Sequence, residues 1–164
     1  MIQYIRIQNF RSVRDIELEL GPLNIVFGPN GCGKSNIYNA IHLLTAAADG
    51  RLSGFISAEG GLENMMWSGD RSPLDRHPRR LQIACRTESF DYELQVGFPE
   101  KLPYPTQFML DPIVKEEHIW LAGYSRRPSS RVPQRKNQAA FLVDVTGEKS
   151  TFTESIYENE SVFG

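Results

Sequence analysis

Two stretches near the start of the chain alternate between apolar and polar positions in the manner of β-strands. Residues 2–7 form the first such stretch, and residues 16–20 alternate strictly between isoleucine or leucine and glutamate. Gly21 and Pro22 then predict a turn. The mainly apolar run Leu23–Phe27 that follows predicts a third strand, buried inside a sheet.

After this run the periodicity changes to that of a helix. Apolar residues recur three or four positions apart, at Ile37, Ala40, Ile41, Leu44 and Ala48. Such spacing places apolar side chains on one face of a helix, which then packs on a sheet. Gly50 stands where this helix is expected to end.

A glycine-rich loop that ends in lysine and serine joins the third strand to this helix. Gly28, Gly33, Lys34 and Ser35 have the spacing G-x-x-x-x-G-K-S of a phosphate-binding loop. Glycines let backbone N–H groups approach phosphate oxygens, and the N-terminus of the following helix favours negative charge. We expect Lys34 to reach the β- and γ-phosphates and the Ser35 hydroxyl to coordinate Mg²⁺. The sequence therefore predicts that the chain binds ATP with Mg²⁺.

The predicted phosphate contacts lie in the loop and at the start of the helix. They come from Gly28, Asn30, Gly31, Cys32, Gly33, Lys34, Ser35 and Asn36.

The second half of the chain predicts antiparallel strands. Residues 81–85 and 90–96 form one predicted hairpin, and residues 113–121 a further strand. Residues 139–145 and 150–152 are predicted to form another hairpin, around Thr146 and Gly147.

Three short motifs of the N-terminal part resemble a known family. Asn-Phe-Arg-Ser at residues 9–12, Gly-Pro-Leu-Asn at residues 21–24 and the loop at residues 28–36 are similar to the opening of the SMC/RecF/OLD-like ATPases of the ABC superfamily, especially bacterial ATPases grouped as AAA proteins. The similarity extends through the helix to about Gly69. It implies an α/β fold with a P-loop NTPase core, the N-terminal lobe of an ABC/SMC-type head, with an added antiparallel β-sheet.

The same resemblance implies one domain with two parts. Residues 1–69 would form the core of strands, loop and helix, and residues 70–164 would be mostly antiparallel β-structure. Arg11 and Ser12 would lie beside the phosphates or on the surface of the head; alternatively, the two residues only form a turn between strands.

The motifs that complete ATP hydrolysis in this superfamily are missing from the sequence. Asp144 ends an apolar run, but Val145 occupies the position of the catalytic glutamate, and no signature motif follows. No catalytic residue is identified in this chain. We therefore expect the N-terminal lobe of a protein about twice as long, whose C-terminal lobe and head-to-head dimer partner complete the site. Alone, the chain is expected to bind ATP without turnover, and the family implies DNA repair, DNA maintenance or anti-phage defence.

Two other functions fit a phosphate-binding loop. A small P-loop kinase or phosphotransferase would use Asp144 as the Mg²⁺ ligand and the arginines of residues 126–136 as a lid. Its members are mostly helical after the loop, whereas this chain predicts strands. The third candidate is a nucleotide-gated binding module without catalysis.

Composition adds a weak indication of nucleic-acid binding. The 18 Lys and Arg against 20 Asp and Glu give a net charge of -2, so a nucleic acid would have to bind a local basic patch. Residues 124–137 form such a patch, and their proline and serine content predicts a flexible loop. Both a solvated loop and a contact with DNA or a protein partner stay open. The basic residues are Arg126, Arg127, Arg131, Arg135 and Lys136.

Cysteine content and hydropathy indicate the cellular compartment. Cys32 and Cys85 form neither a disulfide framework nor a metal site. Neither a membrane span nor a signal peptide is visible. We predict a cytoplasmic protein that does not bind a membrane.

Overall fold

A single antiparallel sheet dominates the protein in a computed structural model. The structure describes residues 1–70, 79–100, 110–123, 126, 127, 130–137, 139–143, 146, 148–151 and 157–162. Within these residues the strands are β1 (Ile2–Phe10), β2 (Val13–Glu19), β3 (Arg80–Thr87), β4 (Phe90–Gly97), β5 (Ile113–Leu121), β6 (Arg131–Lys136), β7 (Ala139–Val143) and β8 (Lys149–Thr151). Their order in the sheet is β2-β1-β3-β4-β5-β6-β7-β8.

In the described part of the chain, three helices lie between β2 and β3. They are α1 (Lys34–Ala48), α2 (Leu52–Ala58) and α3 (Leu62–Met65). In the ranges that the structure describes, no helix is both long enough and apolar enough to cross a membrane.

The alternation of apolar and polar residues explains which face of the sheet is buried. Ile5 and Ile7 of β1 are fully buried, and they lie opposite Cys85 and Ile83 of the neighbouring strand β3, respectively. The same face continues on β4 with Tyr92, Leu94 and Val96. Because side chains alternate across a strand, the intervening polar residues lie on the other face. The predicted strands over residues 2–7, 16–20 and 113–121 and the hairpin of β3 and β4 are confirmed.

The helices cover the buried face. Ala40, Leu43, Leu44 and Ala47 of α1 enter the same core as Ile5, as do residues of α2 and α3. The predicted apolar face of α1 is correct at Ala40 and Leu44. Ala48 is exposed, since it lies in the last turn of the helix.

The predicted buried strand over Leu23–Phe27 is wrong in this structure. These residues belong to no strand, and the exposed fractions are 82% for Leu23, 79% for Ile25, 54% for Val26 and 90% for Phe27. An apolar run favours burial, but within the described residues the backbone of this run pairs with no strand. Its side chains therefore project into solvent.

The predicted flexible loop over residues 124–137 also needs correction. Residues 131–136 form strand β6, which pairs with β5 and β7. A polar strand can be ordered through backbone pairing alone, which a hydrophobicity pattern does not reveal. Residues 139–143 and 149–151 pair as predicted for the last hairpin, whereas Asp144 and Val145 lie outside the described residues.

Candidate functional site

The glycine-rich loop is exposed and leads directly into α1. Gly31 and Gly33 have φ angles of 83° and 98°, in the left-handed region that side chains other than glycine rarely adopt. Gly33 is the N-cap residue of α1, and no side chain caps this helix end. The loop thus presents backbone N–H groups at a helix N-terminus, where the helix dipole favours an anion.

The ammonium group of Lys34 folds back into the loop. Its Nζ atom donates to the carbonyl oxygens of Gly28 and Pro29, at 2.7 Å each. The Sγ atom of Cys32 lies 3.8 Å from the same Nζ atom. Since both carbonyls are exposed, Lys34 can leave them for another acceptor and water can replace it.

Ser35 and Asn36 occupy the first turn of α1. The Ser35 side chain is exposed, as the predicted contact with a metal ion requires. The side-chain amide of Asn36 donates to the hydroxyl oxygen of Ser12 at 2.8 Å.

The turn between β1 and β2 lies beside the loop. A Cβ atom placed on Gly33 would lie 2.8 Å from the Ser12 hydroxyl oxygen, so the turn and the loop are in close contact. Arg11 instead directs its guanidinium group to the carboxylate of Glu59. Of the two residues predicted from the family resemblance, the structure thus places Ser12 at the loop and pairs Arg11 with the end of α2.

The turn is held from the other side by the end of α3 and the residues that follow it. The backbone N–H of Arg11 donates to the Met65 carbonyl at 2.8 Å, and that of Trp67 donates to the Asn9 carbonyl at 2.9 Å. Arg11 and Asn9 have φ angles of 49° and 55°. Strained backbone of this kind persists where surrounding contacts fix it.

The predicted basic residues do not form one surface. Arg126 pairs with Asp91 at 2.5 Å, and Arg126 and Arg131 both lie over the Trp120 ring, 5.7 and 5.3 Å from its centroid. The indole nitrogen of Trp120 donates to the Arg127 carbonyl at 3.2 Å. These contacts tie part of the segment to the sheet.

Arg135 has a structural position. It is only 1% exposed, and its guanidinium donates to the carbonyl oxygens of Tyr157, Asn137 and Glu160. Burial lowers its pKa, and the nearby Glu117 partly compensates. The side chains of Arg127 and Lys136 are exposed, so they are the residues of the predicted basic set best able to reach a phosphate backbone.

A buried polar cluster next to Arg135 was not predicted. Glu117 is fully buried and accepts hydrogen bonds from the Tyr92 hydroxyl at 2.5 Å, the Ser161 hydroxyl at 2.5 Å and the Val162 N–H at 3.0 Å. Burial and the neighbouring Glu117 raise the pKa of Tyr92 well above its ordinary value. The only sequence signal was a glutamate at a position of β5 that faces the core.

The described residues contain no group of three or more histidine, cysteine or acidic side chains that could hold a metal ion. Asp144, the residue that a kinase mechanism would use, lies outside the described residues.

Parts of the chain are similar to known proteins. Residues 4–70 match the family model described as the AAA domain. The OLD nuclease of Thermus scotoductus is 48% identical over 44 residues, which cover 27% of this chain and 8% of that protein. The DNA replication and repair protein RecF of Lactococcus lactis subsp. cremoris is 38% identical over 69 residues, which cover 42% of this chain and 18% of that protein.

A longer match is found with an archaeal protein. The uncharacterized protein MJECL10 of Methanocaldococcus jannaschii is 33% identical over 100 residues, which cover 56% of this chain and 44% of that protein. The chain thus spans less than half the length of each of these three relatives. The resemblance predicted from the sequence motifs is confirmed for the N-terminal part.

Proposed function

We propose that the chain is the ATP-binding N-terminal lobe of a longer SMC/RecF/OLD-like ATPase, because residues 4–70 match the AAA domain model and parts of the chain are similar to OLD nuclease and RecF. In this proposal residues 1–69 provide the phosphate-binding loop and its helix, while β1 and β2 continue the same antiparallel sheet as β3 to β8. The C-terminal lobe supplies the catalytic carboxylates and the signature motif, and two heads join around ATP.

The loop fits the phosphates of a nucleotide. Gly31 and Gly33 adopt the backbone conformation of an anion-binding nest, and a Cβ atom at Gly31 would meet no atom within 4 Å. Lys34 would exchange the carbonyls of Gly28 and Pro29 for the β- and γ-phosphate oxygens. The uncapped N-terminus of α1 would donate further hydrogen bonds.

Mg²⁺ would neutralise part of the phosphate charge, and Ser35 would provide its protein ligand. Hydroxyl oxygen suits this hard cation, which takes its other ligands from phosphates and water. Asn36 would hold the start of α1 in place through its hydrogen bond to Ser12.

The exposed segment Leu23–Phe27 is the single observation that carries the proposal of an incomplete lobe. Its four large apolar side chains are 54% to 90% exposed, immediately before the phosphate-binding loop. Burying an apolar side chain of this size contributes about 1.5–3 kcal/mol. A run of them next to a functional loop is therefore best explained by a surface that another part of the protein covers. The C-terminal lobe of the whole protein would cover it.

Among biological roles we favour DNA maintenance or defence against foreign DNA. One relative is named as a DNA replication and repair protein and another as a nuclease. Arg127 and Lys136 are exposed and available for phosphate contacts, which supply most of the affinity for nucleic acids. Two such residues give weak binding, so DNA affinity would depend on dimerisation or on the rest of the protein.

Turnover assays separate this proposal from its alternatives. The purified chain should bind ATP but release no phosphate above the level of a Lys34→Ala variant. Robust hydrolysis by these 164 residues would contradict the incomplete lobe. Transfer of phosphate from ATP to small acceptors would instead establish a kinase.

A substitution in the exposed segment tests whether the full-length protein covers it. Phe27→Ser should leave the free energy of unfolding of this chain within about 0.5 kcal/mol, because the side chain is 90% exposed. In the full-length protein the same substitution should destabilise the fold by more than 1 kcal/mol. An equal change in unfolding free energy in this chain and in the full-length protein would contradict a lobe that covers Phe27.

A further inference from the structure

Helix α2 is held at its N-terminal end by a carboxylate from far along the chain. Glu160 accepts hydrogen bonds from the backbone N–H groups of Leu52 at 2.7 Å and Ser53 at 3.1 Å, and also from the Ser53 hydroxyl. A carboxylate at this position satisfies N–H groups that the helix leaves unpaired and interacts favourably with the helix dipole. Glu160 thus fixes this end of α2.

The C-terminal end of α2 is held by the turn beside the phosphate-binding loop. Glu59, the C-cap residue of the helix, pairs with Arg11. The next residue, Ser12, is hydrogen-bonded to Asn36 at the start of α1. A short series of direct contacts therefore links the loop, the turn and the end of α2.

Residues 157–162, which we call the clasp, bind the sheet as well as α2. The Glu158 carbonyl accepts from the Val114 N–H at 2.8 Å, and Arg135 donates to the carbonyls of Tyr157 and Glu160. Glu117 accepts from the Ser161 hydroxyl and the Val162 N–H. Because Arg135 and Glu117 are buried in β6 and β5, the clasp is firmly attached at this side.

Helix α2 is short and lies between these two attachments. Its seven residues span about 10 Å. Leu52 and Ile56 are buried in the core, whereas a cleft of about 630 Å³ opens beside the helix, between Gly54, His42 and Glu160. Since a Cβ atom on Gly54 would meet nothing within 4 Å, this side of α2 has space to shift.

From these contacts we infer that α2 is a lever that couples the phosphate-binding loop to the clasp. The inference rests on the proposed function, because it takes a nucleotide as the ligand that rearranges the loop. Lys34 and the start of α1 would change partners when phosphates bind, and Asn36 would transmit the change to Ser12 and Arg11. Glu59 would then move the helix, and the capping contact at Glu160 would tighten or loosen.

The coupling must act in both directions. If the nucleotide alters the contact between α2 and the clasp, then breaking that contact alters nucleotide affinity by the same factor. The clasp would in this way report the state of the nucleotide site to whatever protein surface lies next to residues 157–162.

The affinity for ATP, measured in variants with substitutions in the clasp, tests whether α2 acts as a lever. Glu160→Ala removes the cap, and Glu160→Gln retains one acceptor oxygen, so that it is the milder variant if the first one folds poorly. Each should change the dissociation constant for ATP with Mg²⁺ by about fivefold or more, in the same direction. Asn159→Ala is the matched control, since this neighbouring side chain is exposed, and it should leave the dissociation constant unchanged.

A double-mutant cycle shows whether the effect passes through α2. Glu59→Gln weakens the other attachment of the helix, so Glu59→Gln with Glu160→Ala should change affinity no more than the larger single substitution. Strictly additive effects, or no effect of Glu160→Ala on affinity in a folded chain, would overturn the lever.

Hydrogen exchange separates failure of the lever from failure of the proposed function. Without nucleotide, Glu160→Ala should speed exchange of the α2 amides and of the Arg11 amide, which donates to the Met65 carbonyl. If the wild-type chain binds no ATP, the proposed function fails, while this exchange pattern still tests the connection. Faster exchange confined to residues 52 and 53 would overturn the lever even if ATP binds.

Discussion

The hydroxyl oxygen of Ser12 accepts a hydrogen bond of 2.8 Å from the side-chain amide of Asn36, 24 residues further along the chain. The bond joins the turn between β1 and β2 to the first turn of α1. Gly33 lies against the same hydroxyl group, because its absent Cβ atom would be 2.8 Å away. Two sequence motifs that are separate along the chain therefore form one structural unit.

This contact makes Gly33 the most sensitive glycine of the loop. Gly33→Ala combines a φ angle of 98° with a clash against Ser12, so we expect a loss of about 2–3 kcal/mol in unfolding free energy. Gly31→Ala has a φ angle of 83° but no neighbour within 4 Å, and should lose only about 1–2 kcal/mol. Urea unfolding of both variants measures the difference.

Removing the hydroxyl group checks the origin of the Gly33 effect. Ser12→Gly combined with Gly33→Ala should recover the part of the loss that exceeds the Gly31→Ala value. If the combined variant is as unstable as the sum of its parts, the contact is not the cause.

The two cysteines should react very differently with thiol reagents. Cys32 is exposed in the loop, whereas burial raises the pKa of the Cys85 thiol to about 11. At pH 8 only about 0.1% of such a thiol is ionised, so iodoacetamide should label Cys32 far faster. Mass spectrometry of the labelled chain measures both rates.

ATP with Mg²⁺ should protect Cys32, because phosphates in the loop would cover its thiol. Adenosine without phosphates is the control and should give no protection. Labelling of Cys32 at an unchanged rate at saturating ATP would place the phosphates elsewhere.

The buried carboxylate of Glu117 should be important for stability. Glu117→Ala removes the acceptor of the hydrogen bonds from the Tyr92 hydroxyl, the Ser161 hydroxyl and the Val162 N–H. Losing three hydrogen bonds to one buried acceptor should cost about 3–5 kcal/mol, measured as the free energy of unfolding in urea. Glu88→Ala is the control: its side chain is 66% exposed, and the change should stay within about 0.5 kcal/mol. Equal stability of the two variants would contradict the described cluster.

His118 should make the fold less stable under mildly acidic conditions. Burial and the Arg131 guanidinium lower its pKa below the ordinary 6.5, although Glu116 and Glu93 partly oppose this. The unfolded chain then takes up a proton at a higher pH than the folded chain, so unfolding free energy decreases as the pH falls below about 6.5. Carboxylates such as Glu116, whose pKa is lowered, affect the unfolding free energy only at lower pH.

The variant His118→Gln isolates this contribution. Between about pH 5 and 6.5 it should have a flatter dependence of unfolding free energy on pH than the wild type. The same slope in both proteins would show that His118 does not titrate differently in the folded state.

Local patterns predicted much of this fold because they act over a few residues. The alternation in residues 81–85 and 90–96 was enough to predict the hairpin of β3 and β4, and the spacing from Ile37 to Leu44 was enough for α1. The glycine and lysine spacing predicts a phosphate-binding loop, with which the left-handed φ angles of Gly31 and Gly33 are compatible; phosphate binding itself stays a prediction.

Features that depend on distant partners could not be predicted in this way. The run Leu23–Phe27 indicates burial, but an apolar pattern does not identify the chain segment that provides it. The contact of Glu160 with α2 is one example, because Glu160 and Ser53 are 107 residues apart in the sequence and only the fold brings them together. The sequence predicts Arg135 as a candidate for nucleic-acid binding because it shows the charge of this residue. It does not show the carbonyl groups that accept hydrogen bonds from Arg135 in the fold.

ATP binding by this chain tests the central claim most directly. Isothermal titration with and without Mg²⁺ should give saturable binding for the wild type and for Lys136→Ala, a control that removes an exposed lysine elsewhere. Lys34→Ala should lose at least tenfold in affinity, since it removes a charged contact to the phosphates. Equal ATP affinity of Lys34→Ala and wild type would show that this loop does not hold the phosphates.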